Sequence, residues 1–441
     1  MKTITNVQTF FKYLCPILKS LVRLLSREVE AIRKIVVEHT QWRGSCLNLI
    51  ASENVVSKAV KEMLISDLGN RYAIGFLHNR FYCGTKYIDE LEGITTDLAR
   101  RVFDAEHVNY VPISGTMANL VLFNSLTEPG EVVTALSVID GGHASFRETS
   151  KIHGVSLVPL PFSMDEMNID VGEAEKVIAR VKPKIVLLGA SEILFPHPVK
   201  EIRRIADETG SIVAYDSAHV LGLIAGKAFQ DPLREGAEVV TGSTHKTFFG
   251  PQGGIILCKA RYAKEIDNAA WQLVNNHHVH RVAGLSVALA EFLAFGREYA
   301  AQVIRNARRL AEELYNMGVP VLGEKNGFTR SHQVIFRGNN NNGDATAKRL
   351  EEANIVATKT PLPTDKTEED CSGVRLGTQE VTRLGMKEDD MAEIAKLVKR
   401  VAVDRENPAS VREDVRKLIS QFTTVKYAFE EGDEAYRHIS L

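Results

Sequence analysis

Thr241-Gly242-Ser243-Thr244-His245-Lys246-Thr247, followed by Gly250-Pro251-Gln252-Gly253-Gly254, sets a lysine beside a histidine between a β-type run, Glu238 to Val240, and an apolar one, Ile255 to Cys258. A lysine amine buried between strands is desolvated, gives up its proton more readily and becomes a nucleophile. Lysines held this way form Schiff bases, and the commonest biological aldehyde they hold is pyridoxal phosphate, whose ring stores the electrons of a carbanion. Taken alone, the motif fits a solvated lysine in a Ser/Thr/Gly loop equally well.

The other parts of such a site lie on either side. Asp216 closes the apolar run Ser211-Ile212-Val213-Ala214-Tyr215, which places it at the carboxyl end of a buried strand, where open α/β sheets bind ligands. There its carboxylate can pair with a pyridine nitrogen; a helix-capping aspartate is the competing reading. Ser114-Gly115-Thr116 follows a β-like stretch and opens the apolar run Leu120 to Leu126, so it offers backbone N–H groups, hydroxyls and a helix N-terminus to a phosphate. A plain capped helix would look the same. Gly141-Gly142-His143 lets an imidazole approach a planar ring, or marks a surface turn. Gly373-Val374-Arg375-Leu376-Gly377-Thr378 puts an arginine in a short β-like segment, where its fork suits a substrate carboxylate and hence an amino acid.

The elements that must position these residues alternate. Val108 to Ile113, Glu131 to Ala135, Ser156 to Pro159, Lys184 to Gly189, Ser211 to Tyr215, Glu238 to Thr241 and Gly254 to Cys258 read as strands. Helical patterns such as Val171 to Val181 and Val199 to Thr209 separate several of them. The spacing predicts a mostly parallel sheet with helices on its faces, with room for the last strand to run antiparallel. Beyond Arg297 a charged helix from Tyr299 to Met317 is predicted, then strands and helices around Val334 to Phe336 and Asp389 to Val403, with a polar loop from Arg337 to Asp344.

At 441 residues the chain exceeds one compact core, and 44% hydrophobic residues suffice to bury two or three. A net charge of −2 leaves no footprint for nucleic acid or a membrane surface. Five scattered cysteines, Cys15, Cys46, Cys83, Cys258 and Cys371, form no CxxC pair and point to neither disulfides nor zinc; a reducing cytoplasm fits. His277, His278 and His280 lack a carboxylate or cysteine at ligand spacing, so a loop near a subunit interface is expected there and no metal. The apolar stretch Phe10 to Leu18 is interrupted by Lys12, lacks a small-residue cleavage pattern and is too short to span a bilayer. An amphipathic helix from about Ile17 to Val37 is expected instead, with a basic organelle-targeting segment as the alternative.

Together these residues resemble the serine hydroxymethyltransferase family of fold-type I pyridoxal phosphate enzymes, from about Asn48 to about Met386. Leu49-Ile50-Ala51-Ser52-Glu53-Asn54 resembles the family's opening signature, and Arg71-Tyr72-Ala73 and Arg80-Phe81-Tyr82-Cys83-Gly84 its tyrosine motifs. Tyr215-Asp216-Ser217-Ala218-His219-Val220 and Thr244-His245-Lys246-Thr247 resemble the cofactor core. The resemblance implies a mostly parallel seven-stranded sheet in a large domain (residues 56–296), a smaller C-terminal α+β domain (297–441) and an N-terminal helical arm (1–55). It implies Lys246 as the Schiff-base lysine, Asp216 as the pyridinium partner and His143 stacked on the ring. Ser191 and His219 would lie near the ring's phenolic oxygen, and His245 beside the cofactor. Ser114, Gly115 and Thr116 would hold the phosphate, while Ser52 and Arg375 grip the amino-acid carboxylate. His143, His219 and Tyr82 would join Lys246 as catalytic groups. Tyr72 and Tyr82 would reach the active site of a neighbouring subunit, so a homodimer is implied. The family chemistry is reversible cleavage of the Cα–Cβ bond of a small β-hydroxy amino acid.

The sequence departs from the family at Ile74, where a proton-carrying glutamate is usual, and isoleucine moves no proton. Gly75 to Asn79, Asn275 to His280, Gln252, Ala144 and Thr358 or Thr360 also differ. The cofactor and carboxylate parts are retained while several folate-side parts have changed. Three functions follow: a hydroxymethyltransferase interconverting serine and glycine, with tetrahydrofolate as cosubstrate and another acid/base such as His78 or a water; a folate-independent threonine aldolase or transaldolase; or a non-catalytic relative. Gly296 to Gln302 and Gly327 to Gln333 resemble the transaldolase branch.

Overall fold

Strands buried on both faces read as unbroken apolar runs, and the central sheet is built from seven of them. The computed structural model describes residues 25–430 and 432–437. The strands are β1 (His107–Asn109), β2 (Val132–Ala135), β3 (Ser156–Pro159), β4 (Ile185–Gly189), β5 (Ile212–Asp216), β6 (Val239–Ser243) and β7 (Gly254–Cys258), in spatial order β1-β7-β6-β5-β4-β2-β3. β7 is antiparallel to both its neighbours, and the pairs from β6 across to β3 are all parallel. Alternation sets the two cores: Val186 and Leu188 of β4 belong to one, Ile185 and Leu187 to the other. The predicted strands are all present, shifted by a residue or two at most of their ends; β1 is shorter than expected because Val111 to Ile113 already lead into the turn before the next helix.

The predicted helices Val171–Val181 and Val199–Thr209 form over the expected residues, each stopped by a residue in the left-handed region, Lys182 and Gly210. α1 (Gly115–Leu126) opens at Ser114, whose hydroxyl accepts from Met117 N. A second, three-stranded antiparallel sheet follows, of β8 (Gln333–Arg337), β9 (Thr358–Thr360) and β10 (Gly373–Gly377), ordered β8-β10-β9. The polar stretch after β8 is a turn, but its end, Gly343 and Asp344, already belongs to a helix capped by Asn342.

The helix expected from Tyr299 is longer. α2 (Val279–Asn316) runs unbroken for 38 residues, so the expected boundary between residues 296 and 297 falls inside it. Its first half supplies Val282, Leu285, Leu289 and Phe292 to the large-sheet core; its second half supplies Ala307, Leu310 and Leu314 to the small-sheet core. Charge rises after Gly296 while the apolar periodicity continues, and periodicity decides the helix. The helix is long and apolar enough to cross a membrane by composition, but 67% of its apolar window is buried inside the protein, as in a core helix.

The stretch Phe10 to Leu18 and the first turns of the expected N-terminal helix lie outside the described residues. From residue 25 the chain is helical as far as residue 43. His280 lies in the first turn of α2 and not in a loop, and His277 is buried, its Nε2 2.6 Å from Glu92 Oε1.

Candidate active site

Five chain segments converge beyond the carboxyl ends of β1, β2, β4, β5 and β6. Asp216 ends β5 and is held by two donors, Asn119 Nδ2 on its Oδ2 and the Ala218 N–H on its Oδ1, both at 2.8 Å. Asn119 is aimed in turn by Thr241 Oγ1, which donates to its Oδ1 at 2.7 Å. Beyond β6 the chain turns through Lys246, which is 8% exposed. Burial depresses its pKa to about 8; the Asp216 carboxylate works against that shift, and Arg375 adds to it. Asn54 fixes the turn by donating to Lys246 O at 2.7 Å.

A cavity of about 250 Å³ opens over these groups, lined by Ser114, Gly115, Thr116, His143, Ser145, Ser191, Asp216, His219, His245, Lys246 and Gln252 among others. A methyl added at Gly115 would collide with Ser243 Oγ and push that hydroxyl aside, so glycine leaves the Ser243 hydroxyl where it is at the start of α1. His143 caps the next helix: its Nδ1 accepts from Ser145 N at 3.0 Å, and burial lowers its pKa. His219 is buried, its pKa well below the ordinary value through desolvation first and the positive charge of Lys246 second. Gln333 Nε2 lies 3.0 Å from His219 Nδ1 and donates to Ser191 O at 2.7 Å. The His332 ring stacks on His219 with centroids 5.6 Å apart. His245 Nδ1 is buried without a partner, and desolvation pulls that imidazole to about 4.

Arg375 reaches the cavity wall from β10. Its Nη1 donates to Ser191 O at 2.9 Å and to Glu192 Oε1 at 2.8 Å, while its Nε is buried with no partner. Ser52 follows Ala51, whose backbone packs against Gly377 at the end of the same strand and whose carbonyl lies 3.0 Å from His332 Nε2.

Ser52 and Arg375 are not among the lining residues, Arg375 touching Ser191 O, while the structure brings together Ser114, Gly115, Thr116, His143, Ser191, Asp216, His219, His245 and Lys246 around one cavity. Tyr72 and Tyr82 do not line it. They lie beside the Gly75–Arg80 hairpin, about half exposed, with rings 5.9 Å apart. His78 sits at the hairpin tip, 76% exposed, and Ile74 at its base, where its carbonyl accepts from Phe81 N. Neither reaches the cavity of its own chain. Sequence reasoning passed over Glu192 and the positioning roles of Asn119 and Gln333. Glu192 carried a signal, as an isolated carboxylate in the run Ala190-Ser191-Glu192-Ile193-Leu194-Phe195. Among the described residues no group of three or more His, Cys, Asp or Glu is placed to hold a metal.

The residues fit a phosphorylated, aldehyde-bearing pyridine: an anion cradle at a capped helix start, a carboxylate with two donors and a lysine with a depressed pKa line the cavity, and an arginine with an orphaned Nε is hydrogen-bonded to the carbonyl of the lining residue Ser191. A family profile described as serine hydroxymethyltransferase matches residues 25–398. The chain is 50% identical over 418 residues to the serine hydroxymethyltransferase of Methanothermobacter thermautotrophicus, covering 93% of this chain and 98% of the relative. It is 49% identical over 412 residues to that of Methanocaldococcus jannaschii, covering 91% and 96%. A crystal structure of L-threonine transaldolase from Pseudomonas fluorescens superposes with a TM-score of 0.86 at 29% identity, covering 93% of this chain and 96% of that one.

Proposed function

Because the chain belongs to the serine hydroxymethyltransferase family, whose members are pyridoxal phosphate enzymes of fold type I, we infer that its cavity interconverts serine and glycine with Lys246 as the amine that holds the cofactor. Pyridoxal phosphate, when bound, supplies the sink for the electron pair left on Cα as the Cα–Cβ bond breaks. The residues do the rest. Ser114, Gly115 and Thr116 anchor the phosphate at the positive end of α1. Asp216, held by Asn119 and Ala218, lines the cavity, where its carboxylate would pair with the pyridine nitrogen. His143 would cover the ring, and Gln333 Nε2, which meets His219 Nδ1 and donates to Ser191 O, ties His219 and Ser191 together at the cavity. Arg375 and Ser52 orient the amino-acid carboxylate so that the bond to be broken is held, which is the entropic part of catalysis.

The single observation that carries this reading is the juxtaposition of Lys246, with its pKa near 8, and Arg375, with its Nε unpartnered, across the Ser191 wall. Purified protein given serine and tetrahydrofolate is expected to release glycine, with Lys246→Ala inactive and Arg375→Lys raising KM for serine; glycine release undiminished in Lys246→Ala would remove the basis of the assignment.

Ile74 and the likeness to a threonine transaldolase favour a second reading, transfer of a glycine unit to an aldehyde without folate. Threonine consumption that needs an added aldehyde and ignores tetrahydrofolate would select it. We also place a second copy of the chain over the exposed cluster of Tyr72, Phe76, Phe81, Tyr82 and Tyr87, which is larger than isolated surface aromatics and leaves two family tyrosines outside their own cavity. A reducing cytoplasm suits the free thiols of Cys46, Cys83, Cys258 and Cys371.

A further inference from the structure

Glu192 is a carboxylate with its own claim on Arg375. Its Oε1 accepts from Arg375 Nη1 and from Thr360 Oγ1, each at 2.8 Å, and its side chain is 15% exposed. Its backbone is pinned, the N–H donating to Gly141 O at 3.1 Å, so the carboxylate cannot leave with a loop movement that spares Gly141. On the far side Glu192 lines a small recess with mostly apolar walls that include Phe162, Met167, Leu194 and Leu362. It therefore stands between that recess and the arginine.

The charged and titratable groups that face it come from four places. Arg375 approaches from β10 and Lys246 from the turn after β6, both cationic; Cys371 precedes β10; Asp140 shares the recess, its carboxylate taken up by the Ser137 hydroxyl at 2.7 Å. Before an amino acid binds, Glu192 is the carboxylate paired with Arg375. A substrate carboxylate arriving at the Nε edge of Arg375 sets a second anion on that guanidinium, while the substrate's own amine belongs at Lys246, and two carboxylates on one buried guanidinium cannot both stay ionised cheaply. Glu192 is the carboxylate hydrogen-bonded to that guanidinium, so it is the one placed to take the proton.

We propose that Glu192 is a proton-linked gate on Arg375, taking one proton from solvent when the amino-acid carboxylate binds and thereby yielding the guanidinium to it. This deepens the assignment of Arg375 as the carboxylate-binding residue and rests on it. Burial already pushes the Glu192 carboxyl above its ordinary range, against the pull of Arg375, the Thr360 hydroxyl and Lys246. The gate makes Glu192 a positioning residue: it holds the empty arginine in place and then withdraws its charge.

The test titrates glycine into cofactor-loaded protein by calorimetry, in buffers of different ionisation enthalpy and across pH, for the intact protein, Glu192→Gln and Arg375→Lys. The glutamine keeps the acceptor for Arg375 and Thr360 but cannot titrate. Protons on the glycine amine and the cofactor are common to both proteins, so their difference isolates position 192. We expect the intact protein to take up about one proton more than Glu192→Gln, and its affinity relative to the variant to fall by up to ~10-fold per pH unit in the alkaline range. An infrared difference spectrum of the intact protein on adding glycine gains a carboxylic-acid band, a readout that does not depend on how any variant folds. Equal proton counts in the intact protein and Glu192→Gln, with no such band and with glycine weakened in Arg375→Lys, would overturn the gate alone. Unchanged glycine affinity in Arg375→Lys would overturn the carboxylate assignment and the gate with it.

Discussion

Replacing Lys246 by methionine in protein stripped of its cofactor stabilises the fold at neutral pH. The folded amine titrates at about 8 against an ordinary value of 10.5, because burial outweighs the attraction of Asp216. A folded pKa depressed below the unfolded one means that the folded state resists the ammonium. The cost is fully present below the folded pKa and disappears as pH rises through the unfolded one. Between the two, the unfolded chain binds the extra proton, so stability rises with pH. Integrating that linkage gives a cost of roughly 3 kcal/mol near pH 7.5, falling to about 1.5 kcal/mol near pH 9.5. Methionine has similar length and no charge, and Asp216 keeps both its donors when the amine is gone. Urea unfolding of the two apoproteins at both pH values is the assay. Lys246→Met more stable by roughly 3 kcal/mol at the lower pH, with the gap closing at the higher, is expected. A gap of the opposite sign, or one independent of pH, would refute the account of Lys246 as a buried, destabilised ammonium.

Gly115→Ala is expected to weaken cofactor binding by at least ~10-fold with little change in secondary structure, read by fluorescence titration and circular dichroism, since the new methyl collides with Ser243 Oγ at the anion cradle. Glu380 is buried beside Tyr436, which donates to it, and desolvation raises its carboxyl to about 7. This raised acid contributes stability that is whole below its unfolded pKa and lost as pH climbs through about 7; Glu380→Gln therefore matches the parent near pH 4.5 and exceeds it by up to ~3 kcal/mol above pH 8, measured by urea unfolding. Arg383 is buried against Glu291 at 2.8 Å with its guanidinium 3.6 Å above the Phe249 ring. Removing it alone, in Arg383→Met, strands the glutamate and costs about 3–5 kcal/mol of unfolding free energy.

Much of this site was legible in the chain because its parts are local. Lys246, Asp216 and Ser114 each stand at a strand end or a strand-to-helix turn, and a strand buried on both faces announces itself as a short apolar run. What was missed depends on partners far away in sequence. Glu192 means little until β10 lays Arg375 against it, and Gln333 looks like a strand residue until the small sheet presents it to His219 and Ser191. The length of α2 was hidden for another reason. Charge rises after residue 296, yet Ala300, Val303, Ala307 and Leu310 carry the helical stripe past it.

That uninterrupted helix also governs how the protein can move. At 1.5 Å per residue, α2 is a beam about 57 Å long, and both hydrophobic cores are bolted along it. Two lobes joined by a pliable connection can swing shut over a guest; two lobes sharing one girder cannot, unless the girder itself flexes. The span between the reactive amine and the arginine is thus set by masonry, and adjustment to different amino acids falls to side chains and short turns at the rim. Melting either lobe must also fray the girder's hold on the other, so heat is expected to take the whole molecule down in a single cooperative step.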